Sequence, residues 1–210
     1  MGGELKEKVA QGVAWSMAEK IGSMLLAMAV RLIILRLLTR DILGFMSIPS
    51  AVVTVLLVIV DSGFSQSLVR HKGPSQSDYK SVFLFNIAVS AVLYGVLVAL
   101  APLAVRWYGM PEIARIAPVF FLLLPLNALC AVQNTIFIRQ FRFALLSKVT
   151  FLSSLAGGLT AIALAMAGWG IWSLVAERVI AVGMRTALLW WLSDWRPCGK
   201  CGLKPLREIC

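Results

Sequence analysis

The sequence predicts an all-α polytopic membrane protein, one bundle of six transmembrane helices. Three observations predict it. The chain is 60% hydrophobic and only 14% charged, where a soluble domain carries about a quarter charged residues. Its mean hydropathy is +0.86. Several separate apolar runs reach membrane length, and irregular backbone cannot face lipid, so those runs are helices.

The first span is placed at about 13–38. Its stretch IGSMLLAMAVRLIILRLL, residues 21–38, would cover roughly 27 Å as a helix. It contains Arg31, with Glu19 and Lys20 at its leading edge. A charge at the centre of a membrane helix costs about 2.5–3.5 kcal/mol. Lys20 and Arg31 are eleven residues apart, close to three whole turns, so they share a face. The polar start MGGELKEK precedes a run too long for a signal-peptide core and without a small-residue cleavage site, which reads as a retained helix.

The other spans are expected at about 43–60, 82–105, 116–137, 149–167 and 171–192. Pro49, Pro102, Pro118 and Pro125 fall within them, and membrane helices tolerate proline where neighbours satisfy the freed backbone groups. Pro125 is expected to kink its helix, whereas Pro118 lies in a first turn. The turn Gly168-Trp169-Gly170 is short enough to make spans five and six a tight antiparallel hairpin. Gly157 and Gly158, with Ser153, Ser154 and Ala156, offer a small-residue face for close packing. Trp169 and Trp172 would mark one interface, and Trp190, Trp191 and Trp195 the other. The longest loop is 61–78.

The net charge of +10 follows topology rather than a nucleic-acid surface. Twelve Lys and Arg lie on the side of the N-terminus, four on the opposite side, and four inside spans. This positive-inside bias places both termini in the cytoplasm and makes the membrane lipids contacts of the basic loops. Residues 1–196 then form the bundle, and 197–210 a cytoplasmic linker that is cut short.

Catalytic and metal chemistry find little support. His71 is the sole histidine, and no P-loop or HExxH occurs. Cys198 and Cys201 have half the spacing of a zinc site, with Cys210 as at most one further ligand. No catalytic residue, metal site or cofactor is assigned. The informative polar residues are the intramembrane ions. Arg178 and Arg185 in span six are seven apart and share a face. With Lys20 and Arg31 they form a candidate cationic substrate-binding lumen. Glu177, Glu19 and Asp61 are the ion-pair or coupling candidates. Arg31 and Glu177 fall at matching depths, roughly 8 and 6 Å beyond the midplane, if their helices are centred in the bilayer.

A series of motifs adds a family resemblance. Gly12-Val13-Ala14-Trp15-Ser16 enters span one. Leu37-Leu38-Thr39 and Gly44 lead into span two, and Asp61-Ser62-Gly63-Phe64 follows it. Ser81-Val82-Phe83 and Asn86 open span three, and Arg139-Gln140-Phe141-Arg142-Phe143 joins spans four and five. Gly168-Trp169-Gly170-Ile171-Trp172-Ser173-Leu174-Val175 joins five and six, and Trp195-Arg196-Pro197 ends the series. In this order they resemble the N-terminal half of the polysaccharide (O-antigen type) flippases of the multidrug/oligosaccharidyl-lipid/polysaccharide exporter superfamily. Two features depart from the family: Arg40-Asp41-Ile42-Leu43 replaces a proline and an acidic-aromatic pair, and the chain stops at Cys210, where a second bundle would follow.

The resemblance implies movement of undecaprenyl-pyrophosphate-linked oligosaccharide across the bacterial inner membrane, in lipopolysaccharide or exopolysaccharide biosynthesis. It also implies a second transporter half as partner. Such a lipid-linked oligosaccharide is anionic and suits the four intramembrane cations, arginine by bidentate hydrogen bonds. The alternative is a non-transporting membrane scaffold or partner subunit in polysaccharide assembly.

Overall fold

The computed structural model describes residues 2–38, 40–62, 76–108, 111–140 and 142–193. These residues are almost wholly helical. The helices are α1 (Gly2–Leu37), α2 (Arg40–Ser62), α3 (Gln76–Tyr108), α4 (Pro111–Phe121), α5 (Leu123–Arg139), α6 (Phe143–Met166) and α7 (Ile171–Leu192). Three stretches are long and apolar enough to cross a membrane: Tyr79–Leu103, Arg115–Arg139 and Phe143–Met166. Ile42–Val58 is a shorter apolar helix. Helices α1 and α7 complete the bundle and carry the charges discussed below.

Two boundaries differ from the sequence expectation. Helix α1 begins at Gly2, well before Val13, because Glu-Leu-Lys-Glu-Lys is built from strong helix formers and continues the apolar helix without a break. The fourth span, Arg115–Arg139, is divided into α4 and α5 at Leu122, whose backbone stays right-handed helical (φ −57°, ψ −16°). Pro125 has no N–H to donate to the carbonyl one turn earlier, and its ring crowds that turn. The chain resumes its helix at Leu123. Pro49 and Pro102 are accommodated inside α2 and α3. Of the loop expected over 61–78, Asp61 and Ser62 continue α2, and Gln76 already opens α3. His71, Gly63-Phe64, Trp195-Arg196-Pro197, Cys198, Cys201, Cys210 and the linker 197–210 lie outside the described residues.

Packing runs through the bundle in the order α1, α6, α7, α5, α3. Helices α4 and α2 pack around one end of that row. There Met46, Val53, Ala101, Ile116, Phe120, Leu123 and Val175 make one core. Val30 and Ile34 of α1, with Leu38 just after it, bury against Ala161 and Ala165 of α6. Val82 and Phe83 of α3 meet Val132 and Ile136 of α5. Helices α5 and α7 run parallel. The Thr186 hydroxyl donates to the Leu126 carbonyl at 3.1 Å, and one turn further along both helices the Trp190 indole N–H donates to Leu129 at 3.0 Å.

Between helices in lipid the hydrophobic effect drives little association, so close packing of small residues carries more weight. The adjacent glycines of α6 face two different neighbours. A Cβ on Gly157 would stand 2.6 Å from the Glu177 carbonyl oxygen and 2.9 Å from the Ala181 Cβ, both on α7. A Cβ on Gly158 would stand 2.8 Å from a Val30 methyl on α1. Ser153 beside them returns its hydroxyl to the Val149 carbonyl at 2.7 Å, so it is buried with its hydrogen bond made. The α6–α7 turn depends on Gly168 at φ +78° and Gly170 at φ +54°, a region that costs other residues strain.

Gly157→Ala is expected to destabilise the bundle by about 1–3 kcal/mol, since the backbone of α7 must retreat. Gly158→Ala should cost less, because only a side-chain methyl obstructs it. Gly183→Ala, where a Cβ meets nothing within 4 Å, should be neutral or stabilising. Thermal unfolding of the three variants in mild detergent checks the order.

Candidate functional site

Three helices meet at a cavity of about 180 Å³. Helix α1 contributes Ser23, Leu26, Ala27 and Val30; α6 contributes Ser154 and Gly158; α7 contributes Glu177, Arg178 and Ala181. The glycine contacts explain its position. Because α6 lies close against both α1 and α7, the charged turn of α7 comes within reach of α1. The Glu177 carboxylate is attracted by Arg178 on its own helix and by Arg31 across the bundle.

The sequence candidates therefore separate. Arg31 and Arg178 are within electrostatic range of Glu177, both arginines exposed and Glu177 half-buried; Glu177 and Arg178 border the cavity and Arg31 does not. Lys20 is exposed on α1, one turn before the cavity residue Ser23. Arg185 is half-buried and takes another partner: one of its terminal nitrogens donates to the Asn134 side-chain oxygen on α5 at 3.2 Å. Its Nε is buried without a hydrogen bond. The side chains of Glu19 and Asp61 lie outside the described residues.

Sequence reasoning passed over the buried amides. Asn86 on α3 is 1% exposed and Gln133 on α5 is fully buried. The Asn86 Nδ2 makes no hydrogen bond. Asn134, next to Gln133, is the partner of Arg185. A usable signal was present: Gln133-Asn134 is an adjacent carboxamide pair inside an otherwise apolar span. Polar residues at membrane depth are held between helices or are functional.

The comparisons with known proteins fit this architecture. A family model described as "Polysaccharide biosynthesis protein" matches residues 33–210. The chain belongs to that family. It is also similar to the succinoglycan biosynthesis transport protein ExoT of Rhizobium meliloti (strain 1021), at 29% identity over 190 residues. The match covers 90% of this chain and 38% of that relative, so the chain spans well under half its length. No solved structure matches. The family match takes in only the last turn of α1 and every later helix; it includes Glu177 and Arg178 but begins two residues after Arg31.

In a double-mutant cycle, Arg31→Ala and Glu177→Ala are expected to show a coupling of at least about 0.5 kcal/mol. Strict additivity of their effects on unfolding would mean that the two charges act independently. Asn134→Leu should cost about 1.5–3 kcal/mol, the range for hydrogen bonds to charged groups, measured by the same unfolding assay.

Proposed function

We propose that this chain forms the N-terminal part of a transporter in lipopolysaccharide or exopolysaccharide biosynthesis. Its cargo is an undecaprenyl-pyrophosphate-linked oligosaccharide, moved from the cytoplasmic to the periplasmic leaflet of the bacterial inner membrane. It performs no covalent chemistry. Both termini face the cytoplasm, in keeping with the twelve-to-four distribution of loop cations. Similarity to a succinoglycan biosynthesis transport protein supports the transport class.

The observation that carries the reading is a pair of exposed arginines, Arg31 and Arg178, within electrostatic range of the half-buried Glu177 at the cavity of the α1–α6–α7 junction. Exposed arginines within the bilayer are costly against lipid, at about 2.5–3.5 kcal/mol each near the centre. Water, an anion or a further protein surface therefore covers that face. A second bundle, supplied by the rest of the transporter, closes the exposed side of α1 and turns it into a lumen.

Lys20, Arg31, Arg178 and Arg185 line the path of the pyrophosphate. Arginine receives it through paired N–H donors, while the prenyl tail stays in the bilayer. Glu177 attracts Arg31 and Arg178 while the site is empty and yields them to the cargo when it arrives. Arg185, held by Asn134 through one nitrogen, keeps its Nε–H as a donor to an incoming anion. Glu177, with Glu19 and Asp61, supplies the acidic groups for ion coupling.

The test uses the complete transporter, with this chain as its N-terminal part. Arg178→Ala is expected to leave membrane abundance unchanged and to reduce surface polysaccharide at least several-fold, with partial rescue by Arg178→Lys. Abundance falling in step with polysaccharide would make the residue structural and overturn the lumen. For topology, alkaline phosphatase fused after residues 108 and 168 should be active, and after residues 140 and 193 inactive. The reverse pattern would invert the direction of transport.

A further inference from the structure

We infer that the end of the bundle closed by the α6–α7 turn carries a binding site for an acidic sugar. The inference deepens the transport reading above and rests on it for the identity of the ligand. A second cavity, of about 310 Å³, lies at this end and is bordered by Trp169, Trp172, Arg115, Ile42, Gly168 and Gly170. That size falls within the range of about 300–1,000 Å³ typical of small-molecule sites.

The two indoles are held by one structural unit. The Trp172 backbone N–H donates to the Trp169 carbonyl at 3.2 Å. The Ser173 hydroxyl donates to the Gly170 carbonyl at 2.7 Å. Both flanking glycines have positive φ, a conformation the turn takes readily only with glycine at those positions, and Trp169 between them is exposed. Trp169 is 59% exposed and Trp172 36% exposed. Trp190 behaves differently: its N–H is satisfied by Leu129, and its ring packs against Phe83 at 5.9 Å. The open side is real space, because a Cβ on Gly168 would meet no atom within 4 Å.

The chemistry of this border selects its ligand. Flat indole faces suit the C–H face of a pyranose ring, which is apolar while its rim is hydroxylated. Arg115, exposed at the same cavity, offers a forked donor that matches a carboxylate. An interfacial tryptophan belt requires neither a cavity nor a cation bordering it. Distance supports one ligand spanning both sites. Arg178 is six residues beyond Trp172 on α7, about 9 Å along the helix axis. A pyrophosphate beside Arg178 thus leaves its attached sugars within reach of the turn.

The experiment uses the whole chain in phosphatidylcholine nanodiscs, with saturation-transfer NMR on two soluble probes: tetragalacturonic acid and neutral maltotetraose. The acidic saccharide is expected to bind and the neutral one to bind at least five-fold more weakly. Trp169→Ala and Arg115→Gln should each weaken acidic binding at least five-fold. Trp169→Phe should retain it, and Trp191→Ala, at the other end of α7, should not change it. Circular dichroism establishes that each variant is folded. No transfer to either saccharide, equal binding of both, or undiminished binding by Trp169→Ala would overturn the inference. So would Arg115-dependent retention of phosphatidylglycerol with no saccharide signal, which would make the cavity a headgroup site. Free saccharide binds without transport or the second bundle, so failure here with flipping intact removes this site alone. Loss of flipping with saccharide binding intact removes only the transport reading.

Discussion

Close contact on both sides of α6 is the constraint on which the site depends. Gly157 lets the backbone of α7 approach until a single added carbon would collide with it, and Gly158 does the same for Val30 of α1. Neither contact requires a large buried surface. In lipid, such contacts stabilise association through packing itself, since lipid chains solvate leucine as well as a protein interior does. The functional consequence is proximity. Glu177, whose own carbonyl lies against Gly157, sits where its carboxylate attracts Arg31 of a helix that precedes it by well over a hundred residues.

Charge placement is the second organising element. Membrane helices carry ionised residues at a cost that must be offset by pairing, hydration or a ligand. The chain uses two solutions. Arg185 turns into the bundle and hydrogen-bonds to Asn134, a neutral partner that lends an acceptor without adding a second charge to bury. Arg31 and Arg178 remain exposed, with Glu177 between them electrostatically. The first arrangement stiffens the α5–α7 pair, which Thr186 and Trp190 also fasten to α5 carbonyls. Both leave donors for an anion: the unpartnered Nε–H of Arg185 and the exposed guanidinium groups of Arg31 and Arg178. Neither role needs a reaction site, and the chain's similarity to a succinoglycan biosynthesis transport protein points the same way.

The helices were readable in the sequence because each membrane span announces itself by length and apolarity alone. The break at Leu122 was readable only as a kink. Pro125 signals a missing hydrogen bond, but whether the helix bends or stops depends on what packs around it; here Phe120 and Phe121 bury into the core beside Leu123. The site was partly readable. Helical periodicity placed Arg178 and Arg185 on one face, yet the structure gives them different surroundings, because seven residues along a helix carry a side chain past a different neighbour. The partnership of Arg185 with Asn134 joins residues 51 apart, and nothing in either segment alone encodes it.

The sequence by itself determined that this is a helical membrane protein and that a tight glycine turn joins its last two helices. Those properties follow from hydropathy, backbone hydrogen-bond satisfaction and the steric needs of single residues such as Gly168 and Gly170, all local quantities. Only the tertiary structure decided which charges meet. A helix displays residues in every direction, and the direction that becomes an interior is chosen by its neighbours. Here two adjacent glycines admit α1 on one side of α6 and α7 on the other, and that choice puts Glu177 within the electrostatic reach of Arg31 as well as of its neighbour Arg178.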